Sequence, residues 1–108
     1  MQTTNTSVLA RRIWIDADYA TIAYEAGWAG EAVFFTQVEG EHPELTVAAE
    51  ISPDGINWVQ RGAPSTIGPD DSITENNLSV FGNWVRVRIQ GASAEQKARI
   101  LVHLSLKG

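Results

Sequence analysis

Trp84, Arg86, Arg88 and Gln90 stand at every second position of one short segment, so an extended chain places an indole and two guanidinium groups on one side. Such a row suits two kinds of work. Guanidinium groups beside an indole make a platform for a sugar or an anionic ligand. The same arginines also suit a cross-strand ladder with carboxylates such as Glu50, and Trp with Arg suits the centre of a subunit contact. The ladder is the first reading of this row and subunit contact the next. Trp28 is the other candidate. It is flanked by Gly27 and Gly30 in an expected loop, where an aromatic ring marks a contact site or else caps the core. Trp28, Trp84, Arg86 and Arg88 are therefore the residues expected to meet a ligand or partner.

Other chemistry is thinly represented. Metal binding needs several imidazoles, thiolates or carboxylates converging on one point. His42 lies in the acidic turn Glu39-Gly40-Glu41-His42-Pro43-Glu44, and His103 lies in a strand-like run. The turn reads as a solvated acidic loop, and His103 as facing solvent or a partner. Asp16 and Asp18 at a strand end, and Asp70-Asp71 in a loop, read as turn residues, since no EF-hand spacing of oxygen ligands surrounds them. No cysteine is present, no serine sits in a Gly-x-Ser-x-Gly elbow, and no glycine loop is built to cradle phosphate. The expectation is no catalytic residue, no metal and no cofactor.

The elements that must position these side chains are strands. An alternating run with Leu45, Val47, Ala49 and Ile51 stops at Ser52-Pro53-Asp54-Gly55, and Ile56 to Gln60 follows at once. Pro53 presets its φ, Asp54 bonds nearby backbone, and Gly55 accepts a positive φ, which predicts a hairpin with Trp58 folded back over its turn. Further strands are expected over Val8 to Ile15, Ala32 to Val38, Glu44 to Ser52, Ile73 to Phe81, Trp84 to Ile89 and Ile100 to Leu106. Asn76-Asn77 suggests a bulge or bend, and residues 65–72 a loop. Residues 16–31 read either way. Tyr19, Ile22, Ala23 and Ala26 follow helical spacing with Asp18 as cap and Gly27 as stop, and an extended connection with a Gly27-Trp28-Ala29-Gly30 turn is the alternative.

Seven or eight short strands with at most one short helix predict an all-β fold, a two-sheet antiparallel sandwich. Residues 1–7 read as a flexible arm or edge segment and 8–108 as a single domain. With 108 residues, 44% of them apolar, the chain holds one core and is not a disordered polymer. A net charge of −5 spread along the sequence disfavours nucleic acid as a partner. The polar start Met1-Gln2-Thr3-Thr4 lacks the features of a secretory signal, and no apolar run approaches the ~20 residues that span a bilayer. Cytoplasmic synthesis without membrane association is expected.

Two pieces carry a family resemblance. Ser52-Pro53-Asp54-Gly55-Ile56-Asn57-Trp58 matches the Ser-x-Asp-Gly-x-x-Trp hairpin of the discoidin-like, galactose-binding-like jelly-roll domains. Gly82-Asn83-Trp84-Val85-Arg86-Val87-Arg88-Ile89 is similar to their later Arg-Tyr-Val-Arg-Val strand, and the order agrees. The chain lacks that family's terminal cysteine pair, and its aromatic and basic ligand spikes have no counterpart here. The hairpin also resembles that of small β-sandwich modules on phage virions and tail appendages. The resemblance implies a jelly-roll-like fold and transfers no ligand. The expected function is a non-enzymatic structural or interaction module that forms a homo-oligomer or decorates a larger protein assembly, such as a phage capsid-decoration or tail-associated protein in the virion. The alternatives are a carbohydrate-binding module, with a glycan as partner of Trp28 or Trp84, and a small barrel enzyme with a pocket between its sheets.

Overall fold

The computed structural model describes residues 4–79 and 83–108, and among them every regular element is a strand. Ten strands follow one another: β1 (Thr4–Ile15), β2 (Tyr19–Ala20), β3 (Tyr24–Glu25), β4 (Glu31–Glu39), β5 (Leu45–Ser52), β6 (Val59–Gln60), β7 (Ser65–Ile67), β8 (Ile73–Ser79), β9 (Trp84–Gln90) and β10 (Ala98–Lys107). One sheet has the order β1-β10-β4-β8. The other has β9 and β5 at its centre, with β2 and β3 both on the free side of β9, and β6 and β7 both on the free side of β5. All pairings are antiparallel. The short pairs share an edge each, so ten strands occupy eight positions in two four-wide sheets. That is the eight-strand jelly-roll arrangement.

Alternation explains the two layers. On β10, Ala98, Ile100, Val102, Leu104 and Leu106 are buried, and on β4, Ala32, Phe34, Thr36 and Val38 are. They face Val85, Val87 and Ile89 of β9 and Leu45, Val47 and Ala49 of β5 across one apolar core. Thr36 is the polar exception in that layer, fully buried with its Oγ1 unpaired.

Several expectations change. The helical reading of residues 16–31 fails, because this stretch is extended and feeds two short strands onto β9. Thr21 explains the preference. Its N–H donates to the Val87 carbonyl at 3.0 Å, and its Oγ1 accepts from the Val87 N–H at 3.1 Å, which a helix would forgo. Residues 65–72 are not all loop, since Ser65–Ile67 pairs with the start of β5. No bulge occurs at Asn76-Asn77, where β8 pairs with β4 in unbroken register. Asn76 instead turns inward and donates to the Val47 carbonyl at 3.1 Å, while Ser65 Oγ donates to its Oδ1 at 3.2 Å. The register shifts lie in β1, between Val8 and Ala10 and between Ala10 and Ile13, where Arg12 has φ +47°. Thr4 to Ser7, part of the expected arm, are paired along β10 as an edge strand. The far end of the expected Ile73 to Phe81 strand, and Gly82 of the second motif, lie outside the described residues.

Candidate interaction surface

Sheet register assembles the predicted row. β5 and β9 pair as Thr46↔Gln90, Ala48↔Arg88, Glu50↔Arg86 and Ser52↔Trp84. Because Val85, Val87 and Ile89 point into the core, Trp84, Arg86, Arg88 and Gln90 share the outer face. Arg86 Nε donates to Glu50 Oε1 at 2.7 Å, and the side chains are 22% and 12% exposed. The Arg86 guanidinium lies 4.1 Å from the centre of the Trp58 ring. An indole thus covers a charge-assisted hydrogen bond, keeping water from it and adding the ring's attraction for a cation.

The hairpin turn makes the rest of the roof. Ser52 Oγ accepts from the N–H groups of Asp54 and Gly55 at 3.2 and 2.8 Å. Asp54 Oδ1 accepts from the N–H groups of Ile56 and Asn57, both at 2.9 Å, and from the Ser52 hydroxyl at 3.0 Å. Asn57 Nδ2 adds a bond to Asp54 Oδ2 at 2.7 Å. These donors, the Asn57 and Ile56 amides first, hold the Asp54 carboxyl well below the usual carboxylate range. Gly55, at φ +79°, lies over the Trp84 ring, so a Cβ there would touch Cδ2 at 3.4 Å. The expected partner of the turn was Trp58. The turn rests on Trp84 instead, and Trp58 reaches on to Arg86. Under this roof the outward residues of β5 are themselves covered: Ala48, Glu50 and Ser52 are all buried.

The four predicted contact residues therefore differ. Trp84 and Arg86 are half-buried and committed to neighbours, whereas Arg88 is exposed and pairs with Asp18 at 3.6 Å. Trp28 lies in the β3–β4 connection, 48% exposed, with its ring against Gly108. Trp14, not singled out from the sequence, is 62% exposed opposite Arg99 on the other sheet. Its place between Ile13 and Ile15, whose side chains take the opposite side of an extended chain, was the available signal.

Elsewhere, His42 is less solvated than its acidic turn suggests. Its Nδ1 lies 2.7 Å from the Pro43 carbonyl and its Nε2 2.8 Å from the Asp71 carbonyl, so the ring ties its own turn to the β7–β8 connection. His42, Glu41, Glu95 and Lys97 line an open cleft of about 460 Å³ where three connections meet. Among the described residues no three His, Asp or Glu side chains converge as metal ligands would. Among them, too, no helix is long and apolar enough to cross a membrane.

The strand order, the shared core and the roofed outer face define a jelly-roll β-sandwich, as the motif resemblance implied. The chain belongs to the DUF6385 family, a domain of unknown function whose model matches residues 29–107. No curated protein matches it in sequence. Solved structures share its fold. The PBSX exported protein XepA is 14% identical with a TM-score of 0.72, over 94% of this chain and 36% of that one. The chain thus spans about a third of the length of XepA. The SPBc2 prophage-derived protein YomS is 6% identical with a TM-score of 0.66, over 100% of this chain and 96% of that one. A protein of Bacillus endospore appendages, described as disulfide-linked pili, is 14% identical with a TM-score of 0.55, over 97% and 87%.

Proposed function

We propose that this domain is a non-enzymatic structural module that works by contact, assembling with itself or decorating a larger protein assembly such as a phage capsid or tail. The observation that carries this reading is the disposition of polar groups. The strongest polar cluster, Glu50 with Arg86 under Trp58, is internally paired and roofed, which suits scaffolding better than turnover. The similar structures support the same reading by what they are: one is an exported protein, one is prophage-derived by name, and one forms pili. Trp28, Trp84, Arg86 and Arg88 are the proposed contact residues, with exposed Trp28 and Arg88 meeting the partner and Trp84 and Arg86 supporting the surface.

Light scattering after size exclusion, with electron microscopy of the same fractions, tests this. The expected result is a discrete oligomer or an ordered polymer at micromolar concentration. A chain that stays monomeric up to the millimolar range and binds a glycan, with binding lost in Trp28→Ala, would refute assembly in favour of carbohydrate recognition.

A further inference from the structure

Among the described residues, no roof of the kind that covers the other sheet lies over the outer face of the β1-β10-β4-β8 sheet. Outward on β10 stand Arg99, Leu101, His103, Ser105 and Lys107. Outward on β4 stand Glu31, Val33, Phe35, Gln37 and Glu39, because the residues between them are the buried ones. Register sets them in rungs: Arg99↔Glu39, Leu101↔Gln37, His103↔Phe35, Ser105↔Val33 and Lys107↔Glu31. Val8 extends the His103 rung and Ile73 the Gln37 rung, and with Phe35 they are among the exposed large apolar side chains. The middle of the face therefore carries Val8, Leu101, Val33, Phe35 and Ile73, with the Glu75 carboxylate beside Phe35 at the β8 margin, and both ends are charged. The charges are sorted by strand, basic on β10 and acidic on β4.

That sorting selects an occupant. We propose that this face packs against the same face of a second copy, about a two-fold axis running parallel to the strands between β10 and β4. This rests on the assembly reading above and adds, for self-association, a second surface to the one that presents Trp28 and Arg88. A rotation about that axis keeps each rung at its level and exchanges the two strands. Each Arg99 then meets the partner's Glu39, and each Lys107 meets the partner's Glu31. Phe35 meets the partner's His103 between them, and Thr6 of β1 meets the partner's Asn77 of β8. A two-fold axis lying across the strands would set Arg99 over Lys107 and Glu39 over Glu31, juxtaposing like charges. The favoured axis also keeps the strands of the two sheets nearly aligned, a common way for sheets to stack.

The geometry of the second copy agrees with two further features. Glu39 holds Arg12 at 3.1 Å and lies 3.9 Å from Arg99 within one subunit, all three side chains being more than 40% exposed, so this surface charge cluster stays open to the partner's Arg99. Four strands about 4.8 Å apart, and eight residue steps of about 3.4 Å along β4, make a face of roughly 500 Å² in projection. Stacked sheets of that extent bury on the order of the 800 Å² per partner typical of specific interfaces.

Sedimentation equilibrium and native mass spectrometry on the full chain test the proposal. Phe35→Asp, at an exposed position, is expected to weaken dimerisation at least tenfold, with an unchanged circular dichroism spectrum. Glu31→Lys and Lys107→Glu test the axis. Each is expected to dimerise more weakly than the wild type alone, and their mixture to form heterodimer well above the statistical half. A wild-type oligomer that persists in Phe35→Asp, or a mixture that pairs only statistically, would overturn this face and this axis while leaving assembly itself intact. A wild-type chain that is monomeric at all concentrations would overturn both.

Discussion

Replacing Glu50 by Ala leaves the Arg86 guanidinium between Trp58 and the sheet with no carboxylate, and the structure sets the cost. Breaking a fully buried ion pair costs about 3–5 kcal/mol, while an exposed one is worth at most about 1 kcal/mol. The side chains here are 12% and 22% exposed, so the pair lies between these limits and nearer the buried one. About 2 kcal/mol is expected for Glu50→Ala after discounting for residual solvent screening. Arg86→Ala is expected to cost about 2–3 kcal/mol, because it also loses the stacking on Trp58, worth about 0.5–1 kcal/mol or more. The informative quantity is the coupling between the two residues, measured by urea unfolding of both single variants and the double variant. A coupling of about 1–2 kcal/mol is expected, diminished only slightly by 0.5 M salt because the indole limits access of ions. A coupling under about 0.3 kcal/mol would refute the idea that Trp58 shields this pair and that the roofed face is a stability element.

Thr36→Val replaces a buried hydroxyl without a partner by a methyl of similar shape, and is expected to raise stability by about 1 kcal/mol in the same assay. Asp54 gives the pH dependence. Its carboxyl is held below its ordinary value of 3.8 in the folded chain, so its contribution to stability is fully present above that value and is lost as pH falls through the lower folded value. Thermal unfolding between pH 7 and pH 2 is expected to fall more steeply for the wild type than for Asp54→Asn, and equal slopes would contradict the assigned role of the turn.

The parts legible in the sequence were those where one cause acts. β4, β9 and β10 alternate cleanly because each has one face in the core, and an alternation of that kind has no competing reading. The outward row Trp84, Arg86, Arg88 with its ladder partner Glu50 follows from the same period. Residues 16–31 carried two signals. Tyr19, Ile22, Ala23 and Ala26 keep a helical period, but the amide and hydroxyl of Thr21 find their partners on Val87, sixty-six residues away, and no local pattern records that. Ser65–Ile67 was unreadable for the same reason, being three residues held by the distant start of β5. The Asn76-Asn77 pair looked like an interruption because asparagine is poor in strands. Its amide serves the interior instead, tying β8 to Val47 across the gap between sheets. For the candidate contact residues, type and face were legible, but exposure was not. Which of two indoles lies beneath a turn depends on how far that turn folds over, and the Gly55 contact with Trp84 is set by φ at one residue.

The fragmentation of β2, β3, β6 and β7 has a consequence for how copies of this chain avoid sticking together. Both flanks of one sheet are cut into lengths of two or three residues, too short to template an incoming polypeptide by backbone pairing. On the other sheet, the two shifts within β1 break that outer border into two regular stretches, Thr4 to Val8 and Ile13 to Ile15. Runaway lateral growth of the kind that leads to fibrils is thereby discouraged at three of four margins, and association is steered towards broad faces, where side chains rather than amides choose the partner.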